Sequence, residues 1–330
     1  MDLNEDMRAI DWHPDHLGAG FVSTTLQLAP DDEGPVVATL TKHVVAADPH
    51  ALADTPSDPH FAFLYLHGWN DYFYHPHLAR QIARAGGICY ALDLRKYGRS
   101  LRDHQTAGFI TSLRTYDEDI HRALRVIRGE CGFHFDLVLG GHSTGGLTAA
   151  LWADRHPGAL RALILNSPWL ALQSSPVVKM IAQPIAGTVS RLNPMRILPV
   201  PDNGVYYRTL EELGWEFNPH WRRHPSPAIR AGWLAAIIAA HDRVAAGLEI
   251  SCPTLMMTSA RSDFRNDFTP ELLQVDSVLS VPTLRRAALN LGQLVTLAAF
   301  EGAIHDVFLS AAPIRDAVFG ELRRFLASYC

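Results

Sequence analysis

The sequence predicts an α/β protein, a mostly parallel sheet with helices on both faces, on three observations. Short β-rich runs are apolar almost throughout, helical patterns fall between them, and the alternation breaks once, between residues 169 and 249. A strand buried on both faces has no polar side to show, which is the signature of a parallel sheet covered by crossover helices.

The strands are expected at 36–45, 61–68, 87–94, 136–141, 162–168, 253–260 and 294–302. Helical spacing of apolar residues places helices near 75–86, 115–130, 146–155, 282–291 and 312–328, and 46–60 reads as an exposed loop. The stretch 169–249 is rich in proline and tryptophan, with helix-like pieces and no convincing buried strand, and reads as an inserted helical cap. The expected organisation is a core in two parts, 1–168 and 250–330, divided by a cap at 169–249. Neither an internal repeat nor a low-complexity segment is evident.

Composition narrows the function. At 330 residues with 48% hydrophobic residues, the chain can fill a large core. Its 29 basic and 34 acidic residues leave a net charge of −5 without a long basic run, which argues against nucleic-acid or anionic-membrane partners. The acidic start MDLNEDMRAIDWHPDHLGAG does not read as a secretory signal, and the longest apolar helical stretch, AGWLAAIIAA at 231–240, is too short for a membrane span. A cytoplasmic protein is expected. Cys89, Cys131, Cys252 and Cys330 are scattered, which suggests neither a disulfide framework nor a zinc site.

The segment DLVLGGHSTGGLTAALWAD, 136–154, carries the chemistry. A buried strand runs into Gly141-His142-Ser143-Thr144-Gly145, and a helix starting at once behind it makes this a tight strand-to-helix turn. The central serine of such a turn is forced into a strained conformation that lifts its hydroxyl off the sheet. The positions two before and two after it must be nearly free of side chain so that strand and helix can approach. The helix also aims unpaired N–H groups at whatever the hydroxyl attacks. Ser143 is therefore the expected nucleophile; a serine that merely caps the helix is the plainer reading.

A serine hydroxyl needs a base, an orienter for that base, and donors for the oxyanion. His305, in EGAIHDVFLS, follows the last expected strand and is the expected base among seventeen histidines. In LYLHGWND the turn His67-Gly68-Trp69 ends an early strand, so the Trp69 N–H can pair with the Thr144 N–H as an oxyanion hole. Three aspartates, Asp263, Asp267 and Asp276, follow the strand near 253–260, and position directly after the strand favours Asp263.

With serine, acid and histidine in that order, the chain resembles the α/β-hydrolase fold. In detail it is similar to the monoglyceride lipase and lysophospholipase branch grouped with the S33 serine aminopeptidase-like hydrolases. The resemblance covers roughly 35–328 and is carried by HG at 67–68, DLRKYGRS at 93–100, GGHSTGG at 140–146, AGWLAAIIAAHDRVAAGLEISCPTLMM at the end of the cap, and GAIHDV at 302–307. In that branch the acid precedes the histidine by about thirty residues. Asp276 lies twenty-nine residues before His305 and Asp263 forty-two, so the resemblance implies Asp276, with 261–275 as a local insertion. Trp69-Asn70 departs from the small residue usual after His-Gly, and Lys96-Tyr97 from the usual Gly-His pair.

The implied activity is a serine hydrolase acting on carboxylic esters, lysophospholipase- or monoacylglycerol lipase-like or a carboxylesterase, with neither metal nor cofactor required. Trp169, Trp215, Phe217, Trp221 and Trp233 of the cap are the residues expected to line an acyl-chain pocket. The alternatives are a peptidase or amidase of the S33 type, which would show an acidic pocket for a substrate amino terminus, and a catalytically silent fold used for binding.

Overall fold

The computed structural model describes residues 10–132, 135–172 and 190–330. Its strands are β1 (His13–Pro14), β2 (Phe21–Asp31), β3 (Gly34–His43), β4 (Phe61–Leu66), β5 (Gly87–Asp93), β6 (Asp136–His142), β7 (Ala162–Asn166), β8 (Thr254–Ser259) and β9 (Val295–Phe300). They form one sheet in the order β1-β2-β3-β5-β4-β6-β7-β8-β9. The pairs β1/β2, β2/β3 and β3/β5 are antiparallel, and from β5 to β9 every pair is parallel.

The central strands read as apolar runs because both faces are covered. Along β4, Phe61, Phe63 and Tyr65 point into one core layer and Ala62, Leu64 and Leu66 into the other, the two-residue alternation of a strand. The first layer is closed by α1 (Pro76–Arg84) and α7 (Ala312–Tyr329), through Leu78, Ile82, Phe319 and Leu322. The second is closed by α2 (Tyr116–Cys131), α3 (Thr144–Arg155) and α6 (Val281–Ala288), through Ile120, Leu147 and Leu284. All five helices lie within a few residues of the ranges expected from periodicity.

The hairpin β2–β3 goes beyond the expected strand at 36–45. In β2 buried Thr24, Leu26 and Leu28 alternate with exposed Thr25, Gln27 and Ala29, the pattern of a strand covered on one face. Its polar side hides it from a search for continuous apolar runs.

Between β7 and β8 the described residues contribute none of the nine strands. They carry α4 (Val205–Glu212) and α5 (Ala231–Ala245), with one isolated bridge between Ile197 and Arg230. Residues 173–189 of the expected cap lie outside the described residues. Among the described residues no helix is long and apolar enough to cross a membrane.

Candidate active site

The site forms where the parallel strands end. Ser143 joins β6 to α3 with φ 51° and ψ −116°, a positive-φ backbone that a residue with a side chain adopts only at a cost and that surrounding structure must enforce. The glycines explain how. A Cβ on Gly141 would sit 2.5 Å from the Gly145 carbonyl oxygen, and one on Gly145 would sit 2.2 Å from the His67 carbonyl oxygen. Strand end, helix start and the end of β4 thus meet backbone to backbone, with Ser143 at the crest.

The base loop lies alongside. The ring of His142, directly before Ser143, is 4.7 Å from the ring of His305. His305 Nδ1 donates to Asp276 Oδ2 at 2.9 Å, both side chains being buried. The other Asp276 oxygen accepts the Val278 and Leu279 N–H groups at 2.8 Å each, so the carboxylate is fixed from both ends. Tyr206 from α4 covers the imidazole, with ring centroids 5.4 Å apart.

The rival acid stands at the same place in the chain fold but faces elsewhere. Asp263 N–H donates to the Asp276 carbonyl and Asp276 N–H to the Arg261 carbonyl, so the intervening residues form an excursion closed at its base. The Asp263 carboxylate pairs with Arg265 at 2.9 Å. Asp267 is exposed.

The turn after β4 abuts the serine. A Cβ on Gly68 would approach the Ser143 Cβ to 3.2 Å. His67 holds this turn: its Nε2 accepts the Leu94 N–H at 3.0 Å, which leaves the proton on Nδ1 to donate to the Gly68 carbonyl at 2.8 Å. The Thr144 N–H, first in α3, has no acceptor within the helix.

Two departures from the resembled pattern sit at unusual backbone positions. Asn70 and Lys96 both adopt positive φ, 52° and 65°, where glycine is the easy residue. Asn70 uses its amide to receive the Arg223 N–H and to donate to the Arg223 carbonyl and Ser226 Oγ. Lys96 is buried against Asp31 and Glu33 of the β2–β3 hairpin, each at 2.5 Å.

The same segment makes a second contact with the β4 turn. Arg222 donates to Asp71 Oδ1 at 2.6 Å, and both are buried. Burial opposes ionisation of Asp71, yet the Arg222 charge holds its carboxyl below the usual range.

The expected pocket tryptophans divide. Trp233 packs on Trp69 with centroids 4.2 Å apart and on Trp169 at 6.1 Å. Trp233 also lines a small cavity with Gly68, Tyr97, Thr144 and Ile237. Trp215 stands apart from this group: its indole N–H donates to the Leu309 carbonyl at 2.6 Å and its ring packs on His77. Phe217 and Trp221 join Trp215, Tyr72 and Tyr74 in that other cluster.

Sequence reasoning passed over Asp306, next to the base. Buried Asp306 receives His75 Nε2–H at 3.0 Å and lies 4.0 Å from His142 Nε2. Burial opposes its charge, but His142 and His75 hold the carboxyl far below its ordinary value. Burial also lowers His142 to about 4, so its imidazole is neutral near pH 7.

A family model described as serine aminopeptidase, S33, matches residues 57–309, most of the chain. The chain belongs to this family. A monoacylglycerol lipase of Mycolicibacterium smegmatis is 29% identical over 142 residues, 42% of this chain; the match spans about half of that protein, 48%. Among solved structures, a soluble variant of monoglyceride lipase from Saccharomyces cerevisiae superposes with a TM-score of 0.66 at 13% identity, covering 94% of this chain and 97% of the other. A carboxyl esterase from Bacillus coagulans gives 0.64 at 14% identity, with 93% and 98% covered. The architecture is that of the α/β-hydrolases.

Proposed function

We propose that this chain is a serine hydrolase that cleaves carboxylic esters carrying an acyl chain, through an acyl-enzyme intermediate. The observation that carries this reading is the buried Asp276 carboxylate on His305 Nδ1, with the strained Ser143 turn alongside, where the His142 ring packs on the His305 ring. With Nδ1 committed as a donor, the Nε2 lone pair of neutral His305 is the available base.

In this reading Ser143 Oγ attacks the ester carbonyl while His305 Nε2 removes its proton. The tetrahedral oxyanion is received by the Trp69 and Thr144 N–H groups. Collapse breaks the bond to the alkoxy oxygen, which leaves as an alcohol with the proton returned by His305. Water then attacks the acyl-serine by the same route, releasing the carboxylic acid and restoring Ser143. Residues 169–249 act as a cap, and Trp169 and Trp233 of that cap border the acyl chain. The sequence relative named as a monoacylglycerol lipase supports an ester over an amide. So does the pairing of the buried acids: Asp71 with Arg222, Asp276 with His305 and Asp306 with His75 leave none of these carboxylates free to hold a substrate ammonium. The free thiols of Cys89, Cys131, Cys252 and Cys330 support a reducing, cytoplasmic setting.

Turnover of p-nitrophenyl esters of graded chain length, set beside p-nitroanilides of the same acyl and aminoacyl groups, tests the reading. Ester hydrolysis that depends on chain length is expected; preferential cleavage of aminoacyl anilides would replace it with the peptidase reading.

A further inference from the structure

Asn166 ends β7 and touches both halves of the site. Its carbonyl accepts the Ser143 N–H at 3.1 Å and His142 Nδ1–H at 3.1 Å, on the nucleophile side. Its side chain grips the base side: Oδ1 accepts the Val307 N–H at 3.1 Å and Nδ2 donates to Asp306 Oδ1 at 2.6 Å. His305 immediately precedes these two residues.

Asp306 is tied down in turn. Its Oδ1 also accepts the Phe308 N–H at 3.0 Å, and its own N–H donates to Tyr206 Oη at 3.1 Å. Its Oδ2 accepts a hydrogen bond from His75 Nε2–H, and the His75 tautomer is set because Nδ1 accepts the Tyr74 N–H at 3.3 Å. Asn166, Asp306 and His75 are all buried. An apolar residue at the end of β7 would avoid desolvating an amide, so this polar side chain calls for a reason; besides its contact with Tyr65 of β4, it reaches the loop that carries the base through two hydrogen bonds, to Asp306 and Val307.

We infer that Asn166 is a positioning residue for the reaction, a splint that sets His305 against Ser143, with Asp306 as the anchor it holds. The inference rests on Ser143 and His305 being nucleophile and base. Asn166 touches no reacting atom. Its carbonyl bond to the serine turn belongs to the backbone and survives substitution, so removing the side chain releases the base loop alone. Substrate binding should persist while proton transfer slows, since displacement by about 1 Å costs on the order of 100-fold in rate.

The test compares the wild type with Asn166→Leu and Asn166→Asp. It measures kcat and KM on a p-nitrophenyl ester, the rate of labelling by a fluorophosphonate, and folding by circular dichroism. Folded Asn166→Leu is expected to lose on the order of 100-fold in kcat and in labelling rate, with KM within about threefold. Wild-type kcat in folded Asn166→Leu would overturn the splint. Should that variant not fold, Asn166→Asp keeps the shape. Its carboxyl can donate to Asp306 only when the pair shares a proton, so its kcat relative to wild type should recover by about fivefold or more from pH 8.5 to pH 6. A ratio that stays flat would overturn the inference. Wild type that takes no label removes the nucleophile and the splint together, whereas labelled wild type with equally reactive Asn166→Leu removes the splint alone.

Discussion

Asp263 and Asp276 are backbone partners, the amide of one donating to the carbonyl of the other at 3.1 Å, yet only the Asp276 carboxylate faces His305. The excursion between them begins and ends at one point of the sheet. Both acids therefore satisfy the expectation of a residue just after β8, and side-chain direction separates them.

The first prediction follows from that separation. Asp276→Asn should lower kcat by roughly 10⁴, because an amide at this position no longer selects the Nδ1–H tautomer or stabilises the imidazolium. Asp263→Asn loses a partly exposed pair with Arg265 and should stay within about twofold of wild type. Steady-state kinetics of the two variants decide it; a crippled Asp263→Asn beside an active Asp276→Asn would contradict the site.

Arg222 and Asp71 give a stability prediction. Arg222→Met leaves a buried carboxylate without its cation, a loss of about 3–5 kcal/mol. Arg222→Met together with Asp71→Leu removes both charges and should recover most of that loss. Urea unfolding of the single and double variants measures the coupling, and additive effects would refute the pairing.

Acid sensitivity follows from two buried histidines, His142 and His241, and the half-buried His77. Burial lowers His142 and His241 to about 4 and His77 to about 3, from an unfolded value near 6.5. As pH falls below about 6.5 the unfolded chain takes up protons that the folded chain refuses, so stability drops until about pH 4, by up to about 1.4 kcal/mol per pH unit for each group. Asp306 contributes in a lower window, because a depressed carboxylate loses its contribution only below the usual carboxylate range. Thermal unfolding at pH 7 and pH 5 should show a clear fall in Tm, and His241→Gln should reduce that fall. A Tm equal at both pH values would contradict the burial of these groups.

Trp233 and Trp215 should behave differently. Trp233 borders the cavity beside Gly68 and Thr144, so Trp233→Leu should change the octanoate-to-acetate ratio of kcat/KM by about tenfold. Trp215 is held by the Leu309 carbonyl, and Trp215→Phe should cost stability and leave the ratio within about twofold. Equal shifts in both variants would remove the distinction.

What the sequence disclosed follows from the range of each interaction. The central strands and their helices were legible because local apolar patterning encodes them, and the Ser143 turn because the tightness of its backbone demands glycines at 141 and 145. The strand β2 was not, since its polar alternate face resembles a loop. The tie between Asn166 and Asp306 joins residues 140 apart in sequence and leaves no local spacing to read. Its one trace was a lone amide ending the apolar run ALIL. Tryptophans in 169–249 marked an aromatic layer, but which side of the base loop each one joins depends on how the helices pack.

The central claim is that Ser143 is the activated nucleophile. Incubation with a fluorophosphonate, followed by peptide mass spectrometry, tests it most directly. The account predicts stoichiometric phosphonylation confined to the peptide containing Ser143, abolished in Ser143→Ala and slowed strongly in His305→Ala. Labelling at another serine, or undiminished labelling of Ser143→Ala, would contradict it.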